Sequence, residues 1–261
     1  MRSSRIFLLI ITGLYSAQAN KLFKVVKRIR GSSGSSSNED LSSAVPSYKI
    51  EDFSPLYHFP KVPSFIIKYT KDIESLAVDH KSIYRVPGRK IVYDALVDTY
   101  LRTHKIDMEM YGINDLASAV KRFLSILDEP LLTFGLQEIF LRLAKRGDKF
   151  RIQEAIKKLP TPNRDTLAYM IIHLHTIVAA GNLGNQGIEN LAISFGEAFY
   201  RIDVGASLDT INNPNKVNLA LLSIDTEFYI KMLQLTFTDE LFSTSSANSA
   251  NYEQTVTQTI M

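Results

Sequence analysis

Apolar residues recur through the middle of the chain at the spacing of one helix face. Leu116, Ala119, Val120, Phe123, Leu124 and Leu127 sit at offsets 0, 3, 4, 7, 8 and 11, which a period of 3.6 residues places on one side. Asn114 stands before this run as a candidate N-cap, and Pro130 closes it. A second set is Leu167, Met170, Ile171, Leu174, Ile177 and Val178. Thr161-Pro162 or Asn163 starts that helix and Gly181 stops it. A third set is Ile188, Leu191, Ala192, Phe195 and Phe199. Weaker helical patterns cover residues 63–77, 91–103, 136–146, 150–158 and 216–235. No alternating strand pairs and no internal repeat interrupt them. The pattern predicts an all-α bundle of roughly seven to nine helices over residues 47–235.

Composition narrows the chemistry. The chain has 261 residues, 45% hydrophobic and 22% charged, enough to bury a core without staples. It contains no cysteine, which excludes disulfides, Cys-ligated zinc, iron–sulfur clusters and a thiol nucleophile. With 30 basic and 27 acidic residues the formal charge is +3. That balance argues against a nucleic-acid partner.

The ends differ from the middle. Residues 1–19 read MRSSRIFLLIITGLYSAQA: two arginines, an apolar run from Ile6 to Leu14, then Ala17-Gln18-Ala19. This is the grammar of a secretory signal peptide cleaved after Ala19. The competing readings are a buried first helix and an uncleaved anchor, and the run is short for a bilayer span. Cleavage removes two arginines and no acid, taking +3 to +1. No N-x-S/T glycosylation acceptor is present, since Asn248-Ser249 runs into Ala250. Residues 20–46 hold a basic arm (Lys21, Lys24, Lys27, Arg28, Arg30) and a Gly/Ser-rich linker. A solvated arm is the plain reading, and membrane or vesicle association is its sharper alternative. Residues 236–261 are Ser/Thr/Asn-rich and read as a disordered tail.

Several catalytic motifs are missing. There is no G-x-x-x-x-G-K-[ST] loop and no G-x-G-x-x-G after a strand. His173 and His175 are two apart on one helix and face different ways, which suits one buried and one exposed histidine better than shared metal ligation. Asp128-Glu129 are adjacent and do not converge on one reacting atom. Gly181, Gly184 and Gly187 read as a connecting loop. No metal and no cofactor of the chain's own is expected.

Four segments carry a resemblance. They are Ile83-Tyr84-Arg85-Val86-Pro87-Gly88, the run from Lys121 to Phe134 (KRFLSILDEPLLTF), the run from Leu159 to Leu167 (LPTPNRDTL), and Glu189-Asn190-Leu191-Ala192-Ile193-Ser194-Phe195-Gly196. In this order and spacing they resemble a RhoGAP domain, the GTPase-activating module for Rho-family small GTPases. The likeness covers about residues 55–235. It implies a RhoGAP-like helical bundle that regulates a GTPase and is not itself an enzyme. GTP and Mg would belong to the partner.

The resemblance implies roles residue by residue. Arg85 matches the arginine finger, a guanidinium given in trans to the charge that builds on transferring phosphate oxygens. Lys121 matches the lysine of the supporting helix, and Asn190 the asparagine that bonds the GTPase. Arg122 and Glu197 fall on the same implied GTPase-binding surface. Helical offsets of 0, 4, 7 and 11 put Asn114, Ser118, Lys121 and Ser125 on one polar stripe. The same offsets put Asn190, Ser194, Glu197 and Arg201 on another. The plain reading of both stripes is a solvated helix face.

The chain also departs from the family pattern. Ser82 stands where glycine is usual, and Pro87 where serine is usual; proline stiffens the loop after Arg85. Ser125 replaces an arginine that buttresses the finger loop, and Glu197 replaces a proline. Ser125 and Glu197 motivate an alternative reading, a module that binds the GTPase without activating it, while the matching Arg85, Lys121 and Asn190 favour activation. The run DTLAYMIIHL resembles Rac-directed members, which implies a Rac-like partner. A signal peptide before such a domain resembles the secreted venom RhoGAPs of parasitoid wasps. That likeness implies a secreted virulence factor acting in the cytosol of a host cell, where disulfides would be useless.

Overall fold

The computed structural model describes residues 46–56, 59–77, 82–107, 109–181, 183–202 and 212–234. The signal peptide, the basic arm, the linker and the tail read from the sequence lie outside the described residues, apart from Pro46. Every regular element among the described residues is helical. They are α1 (Ile50–Phe53), α2 (Ser64–Leu76), α3 (Lys90–Thr103), α4 (Ile113–Ile126), α5 (Thr133–Arg146), α6 (Lys149–Ile156), α7 (Thr161–Ala180), α8 (Gly184–Ser194), α9 (Gly196–Phe199) and α10 (Asn213–Leu222). A last helix, α11, covers residues 226–234.

The long helix α7 runs through the core. Asp165 to Leu174 are buried without interruption, and a helix apolar all round is one with neighbours on every side. Helices α1, α2, α8 and α10 all pack on it. Helix α4 buries the face foreseen from its spacing, with Leu116, Val120, Phe123 and Leu124 at most 2% exposed. It packs between α2 and α3. An aromatic cluster joins these elements to α1. Phe123 has ring centroids of Phe65, Phe53 and Tyr100 at 5.1, 5.4 and 5.6 Å, within the range of favourable ring contacts.

Several boundaries differ from the sequence reading. Helix α4 begins at Ile113 with Gly112 as its N-cap, so Asn114 lies inside the first turn and caps nothing. Gly112 has extended backbone there and its carbonyl takes the first amides, from Asp115 and Leu116. The 216–235 pattern splits into α10 and α11. Asp225 starts the second helix, its side chain accepting the Glu227 amide at 2.8 Å. The Ile188–Phe199 pattern also splits, at Phe195, into α8 and the short α9. The carbonyls of Ala198 and Phe199 accept the amides of Leu131 and Leu132, and the backbone at Tyr200 is extended. Glu197 and Arg201 therefore do not share a helix stripe with Asn190. Gly187 is inside α8, not in a loop. His173 is buried as expected, and His175 is half-buried, not exposed.

Candidate functional site

A short loop, residues 82–89, leads into the start of α3. Its turn closes when Ser82 O accepts the amides of Arg85 and Val86 at 3.1 and 3.2 Å. Burial changes abruptly along it. Ile83 and Tyr84 are 5% and 1% exposed, while Arg85, Val86 and Pro87 are exposed. The guanidinium of Arg85 has no hydrogen bond or ion pair among the described residues, so the loop presents a free cation on a fixed base.

The base is fixed mainly through α4. Asp115, Ser118 and Lys121 are spaced three apart and so share one helix face. Each takes one point of the loop in reverse order. The Asp115 carboxylate accepts the Arg89 amide at 2.7 Å and its Nη2 at 2.6 Å. Ser118 Oγ accepts the Gly88 amide at 2.8 Å. Lys121 Nζ donates to the Tyr84 carbonyl at 2.7 Å. Only glycine fits at 88, because a Cβ there would lie 2.5 Å from the Asn114 carbonyl oxygen and 2.6 Å from Asp115 Cα. Proximity to Arg89 holds the Asp115 carboxyl below the usual carboxylate range, and burial lowers the Lys121 ammonium from its ordinary value.

Tyr84 is the strained member. Its φ is 68°, a left-handed conformation that costs a side-chain-bearing residue about 1–2 kcal/mol. Three contacts offset that cost. The Lys121 bond takes its carbonyl, its ring meets Phe195 edge-on at 4.7 Å, and its hydroxyl lies 2.7 Å from His173 Nε2. His173 Nδ1 in turn lies 2.6 Å from Glu74 Oε1. Burial, with the Glu74 charge nearby, raises the Tyr84 phenol well above its ordinary value, so the hydroxyl keeps its proton.

The other site residues read from the sequence fall nearby or turn elsewhere. Arg122 is exposed and its Nε is 3.4 Å from Asp94 Oδ1 on α3. Asn190 is half-buried on α8, its amide oxygen 3.5 Å from Gln186 Nε2 and its carbonyl accepting Ser194 Oγ at 2.9 Å. Glu197 is exposed on α9. Phe195, between those two in sequence, is the residue that meets Tyr84. Ser125 turns its hydroxyl back to the Arg122 carbonyl at 2.9 Å. Arg201 was placed on the wrong stripe by spacing. Its guanidinium donates to the carbonyls of Ser125, Leu127 and Asp128 at 2.9, 3.0 and 3.2 Å, closing the open end of α4. Sequence reasoning missed the roles of Glu74, Asp115 and Arg201. His173 gave one signal, a histidine set in the apolar run Met170-Ile171-Ile172-His173-Leu174.

Among the described residues no group of three or more His, Asp or Glu side chains can hold a metal ion. No described helix is long and apolar enough to cross a membrane. A shallow cleft lined by His175, Asn185, Glu189 and Asp225 among others shares no residue with the loop.

A sequence model of the RhoGAP domain matches residues 63–204, more than half of the chain and the whole of this loop and its supports. The chain belongs to the RhoGAP domain family. Among curated relatives, mouse Rac GTPase-activating protein 1 is 28% identical over 166 residues, covering 61% of this chain and 25% of its own length. Rat Rho GTPase-activating protein 35 is 28% identical over 156 residues, covering 58% and 10%. Caenorhabditis elegans GTPase-activating protein pac-1 is 29% identical over 154 residues, covering 54% and 10%. The RhoGAP domain here thus spans a quarter or less of these relatives. The crystal structure of human Rho GTPase activating protein 15 aligns with a TM-score of 0.56 at 27% identity, covering 65% of this chain and 83% of that one. The BH domain from Graf aligns with a TM-score of 0.57 at 23% identity, covering 64% and 93%, which bears on the fold alone.

Proposed function

We propose that this RhoGAP domain activates GTP hydrolysis by a Rho-family small GTPase, with a Rac-like partner favoured, and that Arg85 is its arginine finger. Small GTPases hydrolyse GTP slowly because charge building on the phosphates is incompletely neutralised, and an arginine given in trans adds roughly 10³–10⁵ in rate. The observation that carries the reading is the contrast at the loop. Arg85 is exposed and unpartnered, while Tyr84 before it and Gly88 after it are bolted to α4. A cation held ready in this way loses little freedom when it meets a phosphate. Lys121, Arg122, Asn190 and Glu197 are proposed to line the GTPase-binding surface. The mouse relative's name, Rac GTPase-activating protein 1, supports the Rac-like preference.

The test is single-turnover hydrolysis by GTP-loaded Rac-type and Rho-type GTPases, with and without the protein and its Arg85→Ala variant. Acceleration of none of them would overturn the reading. Acceleration that survives Arg85→Ala would overturn the finger assignment. A second reading, binding without activation, is favoured by Ser125, which brings no guanidinium to the finger loop. It predicts tight binding to the GTP-bound form with no change in rate.

We further propose that the protein is secreted and acts in the cytosol of a target host cell as a virulence factor. The N-terminal grammar of residues 1–19 and the resemblance to secreted venom RhoGAPs support this. The basic arm at 20–30 is proposed to associate with membrane or vesicle surfaces. Mass spectrometry of the mature chain should find Asn20 at its start; a chain keeping Met1 would rule out cleavage.

A further inference from the structure

We infer that Glu74, His173 and Tyr84 form a buried positioning device that sets the direction in which Arg85 leaves the loop. The inference rests on the reading of Arg85 as the finger. Three observations support it.

The first is conformational. A tyrosine at φ 68° persists only where its surroundings over-determine it. The peptide that follows is the one that launches Arg85, so the angle at Tyr84 sets the direction of the finger.

The second is the continuity of the polar chain. Glu74 lies near the end of α2, His173 in the middle of α7 and Tyr84 in the loop. Their contacts of 2.6 and 2.7 Å span three separate segments. The side chain of His173 is 1% exposed and that of Glu74 is 15% exposed. The two ring nitrogens of His173 thus join the Glu74 carboxyl on one side to the Tyr84 hydroxyl on the other. Each group fixes the next, and the order ends at the strained residue.

The third is position. Lys121 holds the Tyr84 carbonyl from the side of α4, and His173 holds its hydroxyl from the side of α7. The two anchors act on opposite ends of one residue. Losing either would let the φ angle relax while the loop stays tethered at Gly88 and Arg89. Tyr84 and His173 are buried and the Glu74 side chain is only 15% exposed, so the three act through Arg85 as positioning residues.

The test uses the full mature chain with Tyr84→Phe, which keeps the ring and removes one oxygen, and Glu74→Ala, at the partly open end of the device. Two readouts are taken below the melting temperature of each variant. The first is the stimulated hydrolysis rate as a function of protein concentration. Positioning predicts a maximum rate lower by about tenfold or more, with the half-saturating concentration changed less than about threefold. The second is independent of activity. Because the chain has no cysteine, a Val86→Cys substitution takes a spin label at one exposed site beside Arg85. Positioning predicts higher label mobility in both variants than in the parent. Lower melting temperature with unchanged mobility and unchanged maximum rate would overturn the inference. If the parent accelerates no GTPase, the functional reading fails, and label mobility alone decides this one: a rise supports it, no change overturns it.

Discussion

The ammonium of Lys121 donates to the carbonyl of Tyr84 at 2.7 Å, so the cation on α4 holds the peptide that launches Arg85. This pairs a half-buried charge with a neutral acceptor and no acid. Replacing Lys121 by methionine keeps the stem and strands the carbonyl. We expect the maximum stimulated rate to fall about tenfold or more in single-turnover assays. The pH dependence follows from burial, which lowers the folded-state pKa of Lys121. Between that value and the ordinary lysine value the unfolded chain binds the proton more than the folded chain does. Stability therefore rises with pH across that window. The melting temperature of the wild type relative to Lys121→Met should climb as the solution is made alkaline, and level off above the ordinary lysine range. A gap that shrinks with rising pH would contradict the burial argument.

The proposed role of Arg85 separates activity from stability. Its side chain is exposed and bonded to nothing among the described residues, so Arg85→Ala should leave unfolding within about 0.5 kcal/mol of wild type. Stimulated hydrolysis should fall by roughly 10³–10⁵. Arg85→Lys keeps the charge and loses the planar fork, so it should recover little of that rate. Chemical denaturation beside single-turnover kinetics checks both. A large stability loss would mean that Arg85 has a structural partner.

Helix faces were legible because burial imposes a 3.6-residue period that needs no partner to be read. The face of α4 and the span of α7 followed directly. The support of the loop was not legible in the same way. Glu74 and Tyr84 both meet His173, and 99 and 89 residues separate the partners. Such pairings depend on how α2 and α7 pack, which no local pattern records. Spacing also misled where two helices met end to end. Phe195 and Phe199 keep a helical interval across the break because both point into the core, which hid the turn and put Arg201 on a false stripe. Asn114 looked like a cap by residue type, whereas Gly112, with no side chain to signal it, holds that place. The free Arg85 was legible only through a resemblance; its exposure and its anchored neighbours needed the fold.

Gly88 should tolerate no side chain. A Cβ at 88 would meet backbone atoms of Asn114 and Asp115 at 2.5 and 2.6 Å, and helix backbone cannot swing aside as a flexible side chain can. Gly88→Ala must push the loop off α4 and weaken its bond to Ser118. A loss of about 1–3 kcal/mol in unfolding free energy is expected, with a fall in the maximum stimulated rate larger than any fall in affinity. Gly135 offers the control, since nothing lies within 4 Å of its Cβ position. Gly135→Ala should leave both the rate and the affinity at wild-type values.

Arg201 should matter for the fold more than its place after α9 suggests. It donates to three carbonyls, those of Ser125, Leu127 and Asp128, at the end of α4 where the helix leaves acceptors without intrahelical donors. A cation there also meets the negative end of the helix dipole. Lysine can reach one such carbonyl but cannot spread over three, because its donors radiate from one atom. Arg201→Ala should therefore lower unfolding free energy by about 1–3 kcal/mol, with Arg201→Lys between it and wild type. Hydrogen exchange should localise the change to the last turn of α4 and the residues just after it. That turn lies one helix turn beyond Lys121, so loosening should also reach the loop that carries Arg85. We expect a smaller fall in stimulated rate for Arg201→Ala than for Lys121→Met. Equal falls would mean that the end of α4, and not the lysine alone, sets the position of Tyr84.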